Sequence, residues 1–272
     1  AALTGAAVVT ISAIGGIILP IMIKEGYDAS DSTACVCAGS ITGPIIPPSL
    51  PMVIFGVLSG ASVTKMFIGG VVPGVITGLV CMLAWYFMNK NKNYALMPKA
   101  TPREVWTAFK KAFPALMMPV IMMGGILSGI FTPTEAGVVA CVYAWAVSTF
   151  LYKKMNMKIL KRVAIASAKS TAVIMLIVAA CQALAMVITV ARIPQAIAAA
   201  ISAISSNPLV VMCLINVFVL IVGLFMDVTP ALTILTPIFL PIVVGIGMDP
   251  IVFGVTMVYG LCIGLITPPV GN

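Results

Sequence analysis

The chain has 272 residues, with 15 Lys or Arg, 7 Asp or Glu and no His, while 61% of positions are apolar and the mean hydropathy is +1.19. A water-exposed surface takes about 25% charged residues, and the 8% present here excludes a soluble domain. The absence of His excludes Ser-His-Asp and Cys-His nucleophiles, imidazole metal sites and a His proton relay, so the chain reads as an all-α polytopic membrane protein and not an enzyme.

In chain order, apolar segments run over residues 1–23, 34–58, 66–88, 114–131, 136–152, 171–191, 208–226, 230–246 and 251–270. None alternates with period two for long enough to suggest a barrel, so the spans are helices. Trp106, Phe109 and Phe113 stand among lysines and predict an amphipathic helix over 102–113 lying on the cytoplasmic interface; residues 193–206 predict a similar arm on the other side. Twelve of the fifteen basic residues fall within 90–111 and 153–169. Two spans separate these stretches, so both face the cytoplasm by the positive-inside rule, and the net charge of +8 reflects loop bias and not a nucleic-acid groove. The seven cysteines lack CxxC spacing and read as small buried hydrophobes. Residue 1 is Ala inside an apolar run and Asn272 closes directly on a Pro-Pro-Val-Gly stretch, so an internal fragment is expected.

The two ends of the chain repeat each other without gaps when residue 20 is laid on residue 241 and the register is kept. Pro20 falls on Pro241, Gly26 on Gly247, Asp28 on Asp249, Gly39 on Gly260, Gly43 on Gly264, Pro47 on Pro268 and Pro48 on Pro269. These residue types are placed by backbone geometry, so chance apolar composition does not account for them. Counting spans from the basic loops puts residues 24–31 inside and 245–249 outside, so the copies are inverted, as in secondary transporters built around broken helices. The expected organisation is a first-repeat hairpin arm and broken helix over 1–58, a span with a basic linker over 59–113, second-repeat spans and an arm over 114–207, and a second hairpin and broken helix over 208–272.

Each copy carries Pro-Pro inside a spanning segment, at Pro47-Pro48 and Pro268-Pro269. Adjacent prolines leave carbonyls without helical donors at membrane depth, where a hard cation such as Na⁺, water or neighbouring protein must take them. Thr42, Ser49 and Thr267 are placed to add hydroxyls; a packed proline kink is the alternative. The hairpin tips fall at residues 1–7 and 223–230, where Gly5 and Gly223 allow close backbone approach and Asp227 and Thr229 supply polar groups for a substrate pathway. Asp227 reads equally as a ligand or as a helix cap, and Thr132 or Thr134 as the cap of a helix starting near Glu135.

Four stretches, GPIIPPSLPMVIFG (43–56), GIFTPTEAG (129–137), GLFMDVTPALTILTPIFLP (223–241) and GLITPPVGN (264–272), together resemble the large membrane subunit of tripartite ATP-independent periplasmic (TRAP) transporters, in order and over essentially the whole chain. The resemblance implies an elevator-type carrier of the ion-transporter superfamily in a bacterial inner membrane. It implies import of a small carboxylate (a C4-dicarboxylate, sialic acid or another sugar acid) coupled to Na⁺, without an organic cofactor. The implied partners are a periplasmic substrate-binding protein and a small membrane (Q) subunit. One sodium site would then use the tip around residues 1–4, including Thr4, with Gly43, Ile46 and Pro47, and the other Gly223, Gly264, Thr267 and Val270. The repeat register carries the second set onto Ala2, Gly43, Ile46 and Ser49. The first tip reads LTGAA where the family usually has a serine-rich run, and about a third of the usual subunit, mostly N-terminal, is missing, so this piece alone is not expected to transport. A single-component divalent-anion or citrate-type symporter, and a channel or membrane scaffold, are the competing readings.

Overall fold

The computed structural model describes residues 5, 7–90, 92, 101–204 and 207–267, which form helices and connecting turns without a strand. They group into two compact units, one made of Ala1–Asn93 with Ile174–Asn272, the other of Tyr94–Val173.

The first unit holds the two ends of the chain that match in the repeat register, whereas residues 114–173, expected among the second-repeat spans, fall in the second unit. In copy one, α1 (Ala7–Thr10) runs through a π-helical turn (Ile11–Gly15) into α2 (Gly16–Lys24), followed by α3 (Ala29–Ser40), α4 (Thr42–Ile45) and α5 (Leu50–Ser59). The long α6 (Val63–Asn89) follows. Copy two consists of α11 (Pro208–Gly223), α12 (Val228–Gly245) and α13 (Pro250–Leu265), preceded by α10 (Ile193–Ile204). The repeat is visible at the helix ends, since Ala7 and Val228, Lys24 and Gly245, and Ala29 and Pro250 are pairs in the same register as Pro20 and Pro241. Asp28 caps α3 by accepting from Ser30 and Asp31 N–H, and Asp249 caps α13 by accepting from Ile251 N–H. Gly26 and Gly247, just before those caps, both take positive φ, at 87° and 77°, a turn that an L side chain resists.

Among the described residues, six helical stretches are long and apolar enough to cross a membrane: Ala29–Ser59, Val63–Asn89, Pro102–Leu127, Pro133–Leu151, Met157–Val190 and Val228–Gly245. Helices α11 and α13 have 16 residues each. At 1.5 Å per residue they reach about 24 Å, short of a hydrocarbon core of roughly 30 Å, so neither spans it alone. The core of this unit is Phe55 edge-on to Phe253 (5.9 Å between centroids), with Ile45, Met52, Leu232, Met257 and Leu261 buried around them. Val71, Val75, Leu79 and Met82 of α6 are exposed.

In the second unit α7 (Pro102–Leu127) packs on α8 (Pro133–Ala146), which continues through a π-helical turn (Val147–Leu151). Thr132 caps α8 in a reciprocal box with Glu135, settling the choice between Thr132 and Thr134. The boundary between the units falls within α9 (Met157–Val190). Two expectations are corrected here. Residues 102–113 are not a separate interfacial helix but the first half of α7. Pro114 and Pro119 remove the helical donors of the Lys110 and Ala115 carbonyls, yet the helix continues, with Tyr152 Oη–H donating to the Lys111 carbonyl and Tyr143 Oη–H to the Pro114 carbonyl, each at 2.7 Å. The cysteines are free but not uniformly buried: Cys181 and Cys262 are, whereas Cys141 and Cys213 are exposed on apolar helices, where lipid makes a thiol as acceptable as a methyl.

Candidate functional site

Helix α4 stops at Ile45 because Pro47 and Pro48 bring no N–H, which strips the Gly43 and Pro44 carbonyls of their donors four residues on. The fully buried Ser49 repairs half of this loss: its hydroxyl donates to the Pro44 carbonyl and also accepts from Met52 N–H at 3.3 Å, capping α5. Gly43 and Pro47 are buried and Ile46 half-buried at the same break, whose Pro47–Pro48 peptide is cis. Thr42 lies one turn earlier, donating to the Gly39 carbonyl at 2.7 Å.

The second break gathers different parts of the chain. Gly223 at the end of α11 and Gly264 at the end of α13 touch backbone to backbone: a Cβ on Gly264 would lie 2.7 Å from both the Cα and the carbonyl carbon of Gly223. Two helix C-termini, each carrying about half a negative charge, therefore meet here, an arrangement suited to a cation. Thr267 stands at this end, its hydroxyl donating to the Ile263 carbonyl at 2.8 Å and its N–H to the Gly264 carbonyl at 2.9 Å. The hydroxyl oxygen keeps lone pairs beyond its donated proton. Ala2, Thr4 and Val270 lie outside the described residues.

Gly5, Asp227 and Thr229 line one cavity of about 170 Å³. Its wall includes two repeat-related pairs, Ala7 with Val228 and Pro44 with Leu265, so it lies between the copies. Gly5 takes φ +63, and a Cβ there would sit 2.8 Å from the Pro48 carbonyl, which ties the first tip to the first break. Asp227 is the N-cap of α12, its Oδ1 accepting from Val228 N–H at 2.8 Å. The residue is thus a cap and a cavity residue at once. The first turns of α1, α5 and α12 all contribute to the wall through Ala7, Leu50 with Pro51, and Val228 with Thr229. The chain presents helix N-termini to the cavity and helix C-termini to the Gly223–Gly264 contact.

Pro44, Leu50 and Leu265 were missed by the motif reading, although carrying Pro44 forward in the repeat register would have found Leu265. Ile174 and Ile177, also in the wall, carry no sequence signal at all. Gly70 and Gly74 of α6 were missed too: a Cβ on Gly70 would lie 2.7 Å from the Ile45 carbonyl and one on Gly74 2.4 Å from Ile46 Cγ1, so their four-residue spacing lets α6 lie against the first break. Among the described residues no group of three His, Cys, Asp or Glu side chains could hold a metal ion.

A polytopic helical protein with paired helix breaks around a cavity between repeat copies has the architecture of a membrane permease. The chain belongs to the family of the tripartite ATP-independent periplasmic transporter DctM component, whose model matches residues 1–272. It is therefore part of a multi-pass permease of the inner membrane, in a transporter family and not an enzyme family. It is 42% identical over 272 residues to the 2,3-diketo-L-gulonate TRAP transporter large permease protein YiaN of Escherichia coli, covering 100% of this chain and 64% of that one. It is 40% identical to the C4-dicarboxylate TRAP transporter large permease protein DctM of Pseudomonas aeruginosa, covering 100% and 64%. Identity to the sialic acid TRAP transporter large permease protein SiaM of Vibrio cholerae is 35%, covering 99% and 63%. The chain thus spans a little under two thirds of the length of these relatives.

Proposed function

We propose that the full-length protein imports a small carboxylate by sodium symport, receiving it from a periplasmic binding protein and working with a small membrane subunit. The observation that carries this reading is the cavity between the repeat copies, with helix N-termini in its wall. Three helix ends supply about half a positive charge each, against the single carboxylate of Asp227. The balance is near neutral, so an anionic substrate needs countercharge, and Na⁺ ions at the two helix breaks provide it. The relatives' names support the substrate class, since 2,3-diketo-L-gulonate, C4-dicarboxylates and sialic acid are all carboxylates.

In this reading Gly223, Gly264 and Thr267 hold one ion, with Val270 joining them, and Gly43, Ile46, Pro47 and Ser49 hold the other with the tip that includes Ala2 and Thr4. Both breaks belong to one compact unit, which supports an elevator movement in which they travel together. The test is uptake into proteoliposomes by the full-length large subunit with its small subunit and binding protein. Replacing Na⁺ by K⁺ or choline at a fixed proton gradient is expected to abolish uptake; undiminished uptake refutes the coupling.

A further inference from the structure

The second unit carries a charge distribution that the transport reading leaves unused. Both of its carboxylates are turned onto their own helix ends, Glu104 accepting from Thr101 N–H and Glu135 from Thr132 N–H, each at 2.8 Å. Arg103, Lys110 and Lys111 of α7 are exposed, as are Lys153 and Lys154 beyond α8, and among the described residues none of the five is in an ion pair.

The backbone brings these cations together. Tyr152 Oη–H donates to the Lys111 carbonyl at 2.7 Å, holding the end of α8 beside Lys110 and Lys111. The next residues turn back on Ser148, whose carbonyl accepts from Lys154 N–H at 3.0 Å and Met155 N–H at 3.3 Å. Lys153 stands in that turn at φ 50°, a left-handed conformation usual for Gly and resisted by a side chain. Lys158 and Lys161 follow at the start of α9, where the helix end is itself positive and carboxylates are absent from the first turn. The field is uncompensated from within the unit, so its counter-ion comes from outside.

An apolar surface runs beside the cations. Trp106, Phe109 and Phe113 form a ladder with successive centroids 5.8 Å apart, all three exposed, and Lys110 Nζ lies 5.6 Å from the Trp106 ring centre. Pro102, Val105, Trp106 and Phe109 bound a recess of about 500 Å³. A soluble anion would use only the cations, whereas an amphiphile uses both surfaces.

We infer that this face binds an anionic phospholipid, its phosphate between Lys110–Lys111 and Lys153–Lys154 and its acyl chain along the Trp106–Phe113 ladder. The test uses the delipidated complex of full-length large subunit and small subunit, titrated with phosphatidylglycerol and followed by native mass spectrometry. The parent is expected to bind it in preference to phosphatidylcholine. Each cation near an anionic surface is worth about fivefold in partitioning, so Lys110→Gln/Lys111→Gln/Lys153→Gln/Lys154→Gln is expected to weaken binding by at least about tenfold. Lys153→Gly relieves the left-handed backbone, so it is expected to keep or raise the melting temperature in neutral detergent while lowering phosphatidylglycerol affinity about fivefold. A merely structural lysine would not split the two readouts. Equal phosphatidylglycerol affinity in the quadruple variant, or equal binding of phosphatidylcholine by the parent, overturns the inference. Full displacement by glycerol phosphate at the same concentration also overturns it, in favour of a soluble-phosphate site.

Discussion

Gly264→Ala tests the contact that joins α11 to α13. The new Cβ would meet the Gly223 Cα and carbonyl carbon at 2.7 Å and the Leu220 carbonyl oxygen at 2.9 Å. All three are backbone atoms, so no rotamer change relieves the overlap and the two helices must part by several tenths of an ångström. Overpacking of this kind costs about 1–3 kcal/mol; at roughly 2–4 °C per kcal/mol the melting temperature falls by about 2–12 °C. Gly260→Ala, one turn earlier on α13, is the control, because its Cβ would meet only the movable side chain of Val219, at 3.3 Å. Thermal unfolding of the full-length complex in detergent, with and without Na⁺, measures both variants. The Gly264 variant is expected to lose stability and also its stabilisation by Na⁺, since parting the helix ends moves the carbonyls proposed to hold the ion. If Gly264→Ala melts within a degree or so of Gly260→Ala, the close contact does not exist in the folded complex and the reasoning fails.

Three further substitutions probe the breaks and the cavity. Ser49→Ala leaves the Pro44 carbonyl and Met52 N–H without their shared partner in a buried site, and is expected to destabilise by about 1–3 kcal/mol in the same melting assay; an unchanged melt refutes that role. Thr267→Ala removes a hydroxyl and a methyl from the second break and Thr267→Ser the methyl alone, so the Ala variant is expected to need several-fold more Na⁺ for uptake while the Ser variant stays close to the parent; equal sodium dependence in all three removes Thr267 from the site. Asp227→Asn keeps an oxygen for Val228 N–H and is expected to express and transport within about twofold of the parent, whereas Asp227→Ala loses the cap and about 1 kcal/mol. Abolished uptake by a well-folded Asn variant would show that transport needs the charge beyond its part in the balance with the helix ends.

Local chemistry made part of this protein legible from its sequence. Eight per cent charge and long apolar runs leave lipid as the only solvent for most of the surface. Pro47-Pro48 had to end α4 because proline has no N–H, and Asp28 and Asp249, partners in the repeat, cap equivalent helices because a carboxylate satisfies the first amides of any helix. These effects act within a few residues, which is why the repeat can be read from Gly, Pro and Asp alone. Pro114 shows the limit of such reading: the sequence predicts a break, but α7 continues, and hydroxyls of Tyr143 and Tyr152, 29 and 41 residues along the chain from their acceptors, bond its carbonyls. The approach of Gly223 to Gly264, and of Ile174 and Ile177 to the cavity between the tips, likewise depends on how apolar helices interlock. Interlocking is set by shape over many side chains of similar chemistry, so no single residue announces it, and only the tertiary structure decides which helix ends share a site.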